Sequence, residues 1–129
     1  MEKNEIKVSP TKENKEKGPI KEEGQLALDI FQSKDEFVII APIAGLLRED
    51  IEIMINEDVL VIKGERKYPG QVKDKDFLVK ECYFGPFSRA IILPREADLK
   101  SIKATFEKNI LEIKIKKDKS FGKQIVEIE

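Results

Sequence analysis

The sequence contains no histidine, no tryptophan and a single cysteine, Cys82. Without histidine the commonest general base is missing, and no serine or cysteine nucleophile can be paired with one. A zinc site made of the usual ligands cannot be assembled, and one cysteine excludes an intrachain disulfide. We therefore interpret Cys82 as a small apolar filler or a surface thiol, with an intermolecular disulfide under oxidation as the alternative.

Other signals of catalysis are also missing. Neither a G-x-x-x-x-G-K-[ST] loop nor a G-x-G-x-x-G turn before a helix occurs. The 25 acidic residues are spread over the whole chain, so no pair of carboxylates stands out as an acid/base site. We expect no enzyme activity, no catalytic residues, no metal and no cofactor.

Charge of one sign and long apolar runs are lacking too. The 24 basic residues nearly cancel the 25 acidic ones, so no strong basic field marks the chain for nucleic acid or an anionic membrane. No stretch approaches the roughly 18 unbroken apolar residues of a membrane helix, and MEKNEIKVSP lacks the apolar region of a signal peptide. We expect a cytoplasmic protein that binds neither nucleic acid nor membrane.

The first 24 residues form a polar segment. They include six lysines and six glutamates and no aromatic residue. Such a segment cannot bury enough apolar surface to offset its ordering entropy. The composition predicts a flexible arm over residues 1–24.

From Gln25 to Lys117 the sequence consists of short apolar runs separated by Gly, Pro, Asn or Asp. Period-two alternation predicts half-buried strands in four of them, LALDIF, DIEIMINE, SIKATFE and ILEIKIK. Three more runs, EFVIIA, DVLVIKG and SRAIILP, are rich in β-branched residues and apolar on both faces. About seven or eight short strands with regularly spaced turns are typical of an antiparallel β-sandwich. The predicted fold class is therefore all-β.

Two stretches interrupt this rhythm. Residues 68–76, YPGQVKDKD, are polar and predict an exposed loop, after which FLVKE offers a short strand that can lie away from its own sheet. Residues 116–124 form a charged linker that delivers the apolar IVEI segment outside the domain. We predict a sandwich domain over 25–117 and a C-terminal extension over 118–129.

Five stretches in order resemble the small heat shock protein family, which is built on the α-crystallin domain, and its bacterial and plant branch in particular. They are APIAGLLREDIEI, VLVIKGER, GPFSRAIILP, ATFEKNILEI and the terminal Val126-Glu127-Ile128. The matching positions are Gly45, Asp50, Ile51, Ile53, Leu60, Ile62, Gly64, Glu65, Arg66, Gly85, Phe87, Arg89, Leu93, Pro94, Ala104 and Leu111.

The chain departs from the family pattern at a few points. Asn109 replaces a signature glycine but still tolerates a left-handed turn conformation. Ala44 stands where the family has proline, and Cys82 stands where bacterial relatives often have arginine. The arm is shorter and more polar than the Phe-rich arm that is common in the family.

The resemblance implies an ATP-independent holdase, which binds partly unfolded client proteins and prevents their aggregation. It implies a homodimer in which the segment after the long loop is exchanged into the partner's sheet, with Arg89 near that interface. Higher oligomers would form when the tail residues Val126 and Ile128 enter an apolar groove of a neighbouring dimer. The implied dimer residues are Phe77, Leu78, Val79 and Arg89. The groove and client-binding candidates are Ile51, Ile53, Ile55, Ile102, Ala104 and Phe106, each of which is at least as compatible with a core position.

Two alternatives remain open at this point. A co-chaperone of the p23-like class shares the sandwich but usually carries an acidic tail without a V-x-I motif. A carbohydrate-binding sandwich module should present exposed aromatic residues on one face, whereas this chain has no Trp and only two Tyr.

Overall fold

The computed structural model describes residues 5–6, 8–10 and 23–120. In this part of the chain, ten strands form two five-stranded sheets that share one hydrophobic core. The strands are β1 (Glu5–Ile6), β2 (Val8–Pro10), β3 (Gly24–Gln25), β4 (Asp29–Gln32), β5 (Glu36–Pro42), β6 (Ile51–Asn56), β7 (Val59–Arg66), β8 (Gly85–Ile92), β9 (Lys103–Glu107) and β10 (Ile110–Lys116). The helical structure of the described residues consists of three short 3-10 turns, at Arg48–Asp50, Asp74–Asp76 and Leu99–Ser101.

The order of strands defines two edges of the sandwich. One sheet runs β1-β9-β10-β5-β4 and the other runs β2-β6-β7-β8-β3. The pairs within each sheet are antiparallel, except that β2 and β3 run parallel to β6 and β8. The first edge is therefore formed by β1 and β2, and the opposite edge by β3 and β4. The predicted antiparallel β-sandwich is confirmed, with these two short parallel additions.

Alternating sequence explains why the sheets bury one face. In β10, Leu111, Ile113 and Ile115 are fully buried, while the lysines between and after them are exposed. In β6, Ile51 and Ile53 are buried on one face while Glu52 is exposed on the other. Side chains point alternately to opposite faces of a strand, so each apolar set enters the core together.

Two tight hairpins fix the register of these strands. Lys108 and Asn109 connect β9 to β10 with φ of 53° and 63°, and Glu57 lies in the β6–β7 turn with φ of 54°. Hairpin turns with positive φ match the right-handed twist of the flanking strands. The left-handed conformation predicted for Asn109 is confirmed.

Gly64 in β7 has a packing role. A Cβ atom at this position would come within 2.8 Å of Phe87 and 2.9 Å of the Asp50 carbonyl oxygen. Only glycine allows the 3-10 turn before β6 to approach β7 so closely. The Asp50 carboxylate accepts a hydrogen bond from the Leu47 amide at 3.0 Å, which holds the same turn.

The structure differs from the sequence predictions in two places and leaves a third prediction open. Residues 5–6 and 8–10 of the predicted flexible arm are paired strands. The LALDIF segment enters a strand only at Asp29, and Ile30, predicted on the half-buried face, is 49% exposed. The FLVK segment, residues 77–80, pairs with no described strand of its own chain, so its exchange into a partner's sheet stays a prediction.

Candidate functional site

Five of the six groove candidates lie on β6 and β9, the strands next to the edge strands β2 and β1, in the two stretches that the family resemblance implied. Ile51, Ile53 and Ile55 are on β6, Ala104 and Phe106 are on β9, and Ile102 precedes β9. Four of them are buried, whereas Ile55 and Ile102 are half-buried and pack against the core from its margin. These six residues form an apolar strip along β6 and β9 at one edge of the sandwich, and we call this strip the groove.

An extended segment of the chain already lies along this strip. β1 pairs with β9 so that Ile6 is opposite Ala104, and β2 pairs with β6 so that Val8 is opposite Ile53. Ile6 is 7% exposed and belongs to the core cluster, while Val8 packs against it. The geometry thus accepts a strand whose alternate side chains are apolar, and main-chain pairing is available on both sides.

We call the opposite edge, formed by β3 and β4, the open edge because its apolar side chains are exposed. β4 pairs only with β5 among the described strands, and its Ile30 and Phe31 are 49% and 55% exposed. Ile92 at the end of β8 is 75% exposed and lines the same depression as Ile30 and Phe31. An exposed strand edge with apolar side chains is a template for pairing with another chain.

Three of the four dimer-interface candidates are consecutive residues in the loop between β7 and β8, and the fourth, Arg89, is on β8. Phe77 packs within the loop between β7 and β8, but Leu78 and Val79 are 99% and 69% exposed. Arg89 is half-buried on β8 and donates a hydrogen bond to the Leu26 carbonyl oxygen at 2.9 Å. No ion pair of Arg89 is formed among the residues that the structure describes.

Aromatic packing organises the loop that presents Leu78 and Val79. The Tyr68 ring packs edge-on against Phe77 and Phe84, with centroid distances of 5.8 Å and 4.6 Å. Lys80 lies 3.1 Å from the Asp74 carboxylate and 4.9 Å from the centre of the Phe77 ring. The loop packs Phe77 and Phe84 against Tyr68, which is itself 42% exposed, and turns Leu78 and Val79 outward. Cys82 in this loop is an exposed free thiol, as one of the two interpretations of it predicted.

Arg66 joins this loop to the body of the sandwich, a role that sequence reasoning missed. Its Nε donates to the Ala44 carbonyl oxygen at 2.6 Å and its Nη1 donates to the Tyr83 carbonyl oxygen at 3.3 Å. The guanidinium also lies 5.5 Å from the centre of the Phe87 ring. The only sequence signal for this role is the position of Arg66 in the GER motif.

The tail residues Val126 and Ile128 lie outside the described residues. Their predicted contact with the groove therefore stays a prediction. The helical segments of the described residues are 3-10 turns of three residues each, too short to span a membrane.

Comparison with known proteins matches residues 29–129 to the model of the Hsp20/alpha crystallin family. The chain belongs to this family. It is 35% identical over 98 residues to small heat shock protein C4 of Rickettsia felis, an alignment that covers 75% of this chain and 60% of that protein. The chain thus spans about 60% of the length of that curated relative.

Solved structures of the Hsp20/alpha crystallin family share the fold. A small heat shock protein from Xylella fastidiosa superposes with a TM-score of 0.68 at 30% identity, covering 81% of this chain and 95% of that one. HspA from Xanthomonas axonopodis superposes with a TM-score of 0.67 at 31% identity, covering 74% and 96%. The comparisons favour neither a p23-like co-chaperone nor a carbohydrate-binding module.

Proposed function

We propose that this chain is an ATP-independent holdase, which binds extended apolar segments of partly unfolded proteins and keeps them from aggregating. The single observation that carries the proposal is the groove between β6 and β9, which holds an extended segment with apolar side chains at alternate positions. A partly unfolded client exposes segments of this kind, and strand addition recognises them without a fixed sequence. Membership of the Hsp20/alpha crystallin family supports the same function.

The open edge supports a homodimer formed by strand exchange. Leu78 and Val79 extend into solvent from a loop, and β4 offers an unpaired edge with two exposed apolar side chains. Moving residues 77–80 onto β4 of a partner would pair backbone groups that water now solvates and would bury aliphatic surface on both chains. The half-buried Arg89 would then lie near this interface.

Tail binding between dimers supports larger assemblies. Burying two aliphatic side chains such as Val126 and Ile128 contributes roughly 3 to 6 kcal/mol, while fixing each tail residue costs roughly 1 to 2 kcal/mol. A single tail therefore binds weakly. Several tails linked through dimers gain from effective concentration, so the assembly holds together while its subunits exchange. The cytoplasmic location stays a prediction.

The function is tested by heating a thermolabile enzyme with and without this protein, in the absence of ATP, while light scattering is recorded. We expect scattering to fall progressively as the protein approaches a 1:1 mass ratio with the client. Equal scattering with the protein and with serum albumin at the same mass ratio would contradict the proposal.

The assembly is tested by replacing Val126 and Ile128 with Ala and measuring mass by light scattering after size exclusion. We expect dimers to remain and larger species to disappear, because both groove anchors are truncated. The matched control is Ile125→Ala, since neighbouring residues of an extended strand point to opposite sides. An unchanged mass distribution in the double variant refutes tail-mediated assembly.

A further inference from the structure

The groove between β6 and β9 holds the chain's own N-terminal segment. Ile6 pairs opposite Ala104 on β9, and Val8 pairs opposite Ile53 on β6, so one short segment extends both sheets. Ile6 is buried and Val8 is half-buried. Covering both strands in this way satisfies the edge backbone that would otherwise pair with another chain.

The residues in the groove share their pattern with the tail. Ile6-Lys7-Val8 and Val126-Glu127-Ile128 each place two β-branched residues on either side of one charged residue. In an extended strand, residues two positions apart project from the same side, about 6 to 7 Å apart. Two motifs with the same spacing and the same apolar chemistry fit the same pair of sites.

The location of Ile6 and Val8 in the arm is also informative. Among the first 22 residues, the aliphatic side chains are Ile6, Val8 and Ile20, together with Met1, and the remainder is almost entirely polar or charged. Two of these few apolar residues are spaced two apart and placed in the groove. The arm therefore carries one apolar-x-apolar motif in a segment whose other residues are mostly polar or charged.

We propose that Ile6 and Val8 together are a competing ligand of the groove, which they occupy until a tail motif or a client displaces them. The inference rests on the proposed function, since it requires the groove to be the tail and client site. A tethered segment has an effective concentration of about millimolar, whereas tails of other subunits at micromolar concentration must compete with it. Assembly and client binding then rise when the arm is released.

The competition is measured with a fluorescent peptide of residues 123–129, using anisotropy on the full-length chain. The background is Val126→Ala with Ile128→Ala, which removes the chain's own tail anchors. Adding Ile6→Ser with Val8→Ser should tighten peptide binding at least tenfold, because the groove is no longer covered. The matched control, Ile20→Ser in the same background, should leave the dissociation constant unchanged.

The outcomes of the peptide experiment distinguish competition by the arm from the proposed role of the groove as the tail site. Peptide binding of equal strength in all variants overturns the competition while leaving the groove as the tail site. Equal tightening by Ile20→Ser also overturns it, because the effect would then belong to the whole arm. No peptide binding to any variant overturns the proposed groove and this inference with it.

A second measurement uses the unaltered protein, because Ile6 is part of the core and its replacement can weaken the fold. Amide hydrogen exchange is recorded on the wild-type chain with and without an excess of the same tail peptide. We expect exchange at the amides of residues 5, 6, 8 and 9 to accelerate when the peptide binds, while β10 stays protected. Peptide binding without faster exchange at these residues overturns the competition.

Discussion

The two edges of this sandwich differ in how far their apolar side chains are buried. At one edge, β1 and β2 of the same chain cover β9 and β6, and the apolar residues beneath are largely buried. At the opposite edge, β4 exposes Ile30 and Phe31, and the nearby Ile92 is 75% exposed. Unpaired strand edges attract other chains. The difference lies in side-chain burial: the outer strands at the first edge bury Ile6 in the core, whereas β4 at the second edge leaves Ile30 and Phe31 exposed, where we propose that a partner binds.

The largest expected effect compares the same substitution at the two edges. Ile53 on β6 is 1% exposed and Ile92 on β8 is 75% exposed. Ile53→Ala should lower the free energy of unfolding by about 2 to 5 kcal/mol, since it leaves a cavity in the core. Ile92→Ala should change it by less than about 0.5 kcal/mol. Urea unfolding of both variants makes the comparison, and equal losses contradict the difference between the edges.

The next effect concerns the open edge and its proposed partner. Replacing Leu78 and Val79 with Ser should raise the dissociation constant of the dimer by about 100-fold, because two aliphatic side chains no longer become buried on association. The fold of the single chain should remain, since both side chains are exposed in it. Sedimentation equilibrium measures the constant.

The control for this variant is Leu99→Ser, another exposed aliphatic residue, which lies in the 3-10 turn before β9. It should leave the dimer intact. Dimers of unchanged affinity in the Leu78 and Val79 variant exclude strand exchange through this segment.

A smaller effect concerns the attachment of the loop to the sandwich. Arg66→Lys keeps the charge but removes the pair of hydrogen bonds to the Ala44 and Tyr83 carbonyl oxygens. We expect a loss of about 1 to 2 kcal/mol in unfolding free energy, measured by chemical denaturation. The exposed Arg95, changed in the same way, should cause no measurable loss. Equal stability of the two variants would show that these hydrogen bonds contribute nothing.

The smallest effect concerns Asp118, which follows the end of β10. Hydrogen bonds from the Ser120 hydroxyl and the Ser120 amide lower the pKa of this carboxyl. A lowered pKa in the folded state contributes stability above the unfolded-state pKa, and this is lost as pH falls through the folded-state value. Ser120→Ala should raise the Asp118 pKa toward its ordinary value, as measured by an NMR titration, and an unchanged pKa contradicts this cause.

Much of the sandwich follows from period-two patterns in the sequence. ILEIKIK predicts β10 over the residues where the structure has it, and DIEIMINE predicts the strand that becomes β6. These patterns work because each strand has one face in the core, so the spacing of its apolar residues fixes both strand and register. The Asn109 turn follows for a similarly local reason, since few residues tolerate positive φ.

The paired arm residues, 5–6 and 8–10, and the FLVK segment, residues 77–80, could not be predicted in the same way. The average composition of residues 1–24 hides the pair Ile6 and Val8, although their i, i+2 spacing is a signal for a short strand. Residues 77–80 have the sequence of a strand, but a strand requires a neighbour, and none of the described strands of this chain pairs with them. Sequence patterns describe which residues seek burial and cannot say which chain provides it.

The most direct test of the account places a photoreactive amino acid at position 55 on the covered edge or at position 92 on the open edge. The full-length protein is then irradiated with a heat-unfolded client. The account predicts adducts with the client from position 55 and adducts between two copies of this chain from position 92. Client adducts from position 92 with none from position 55 would contradict it.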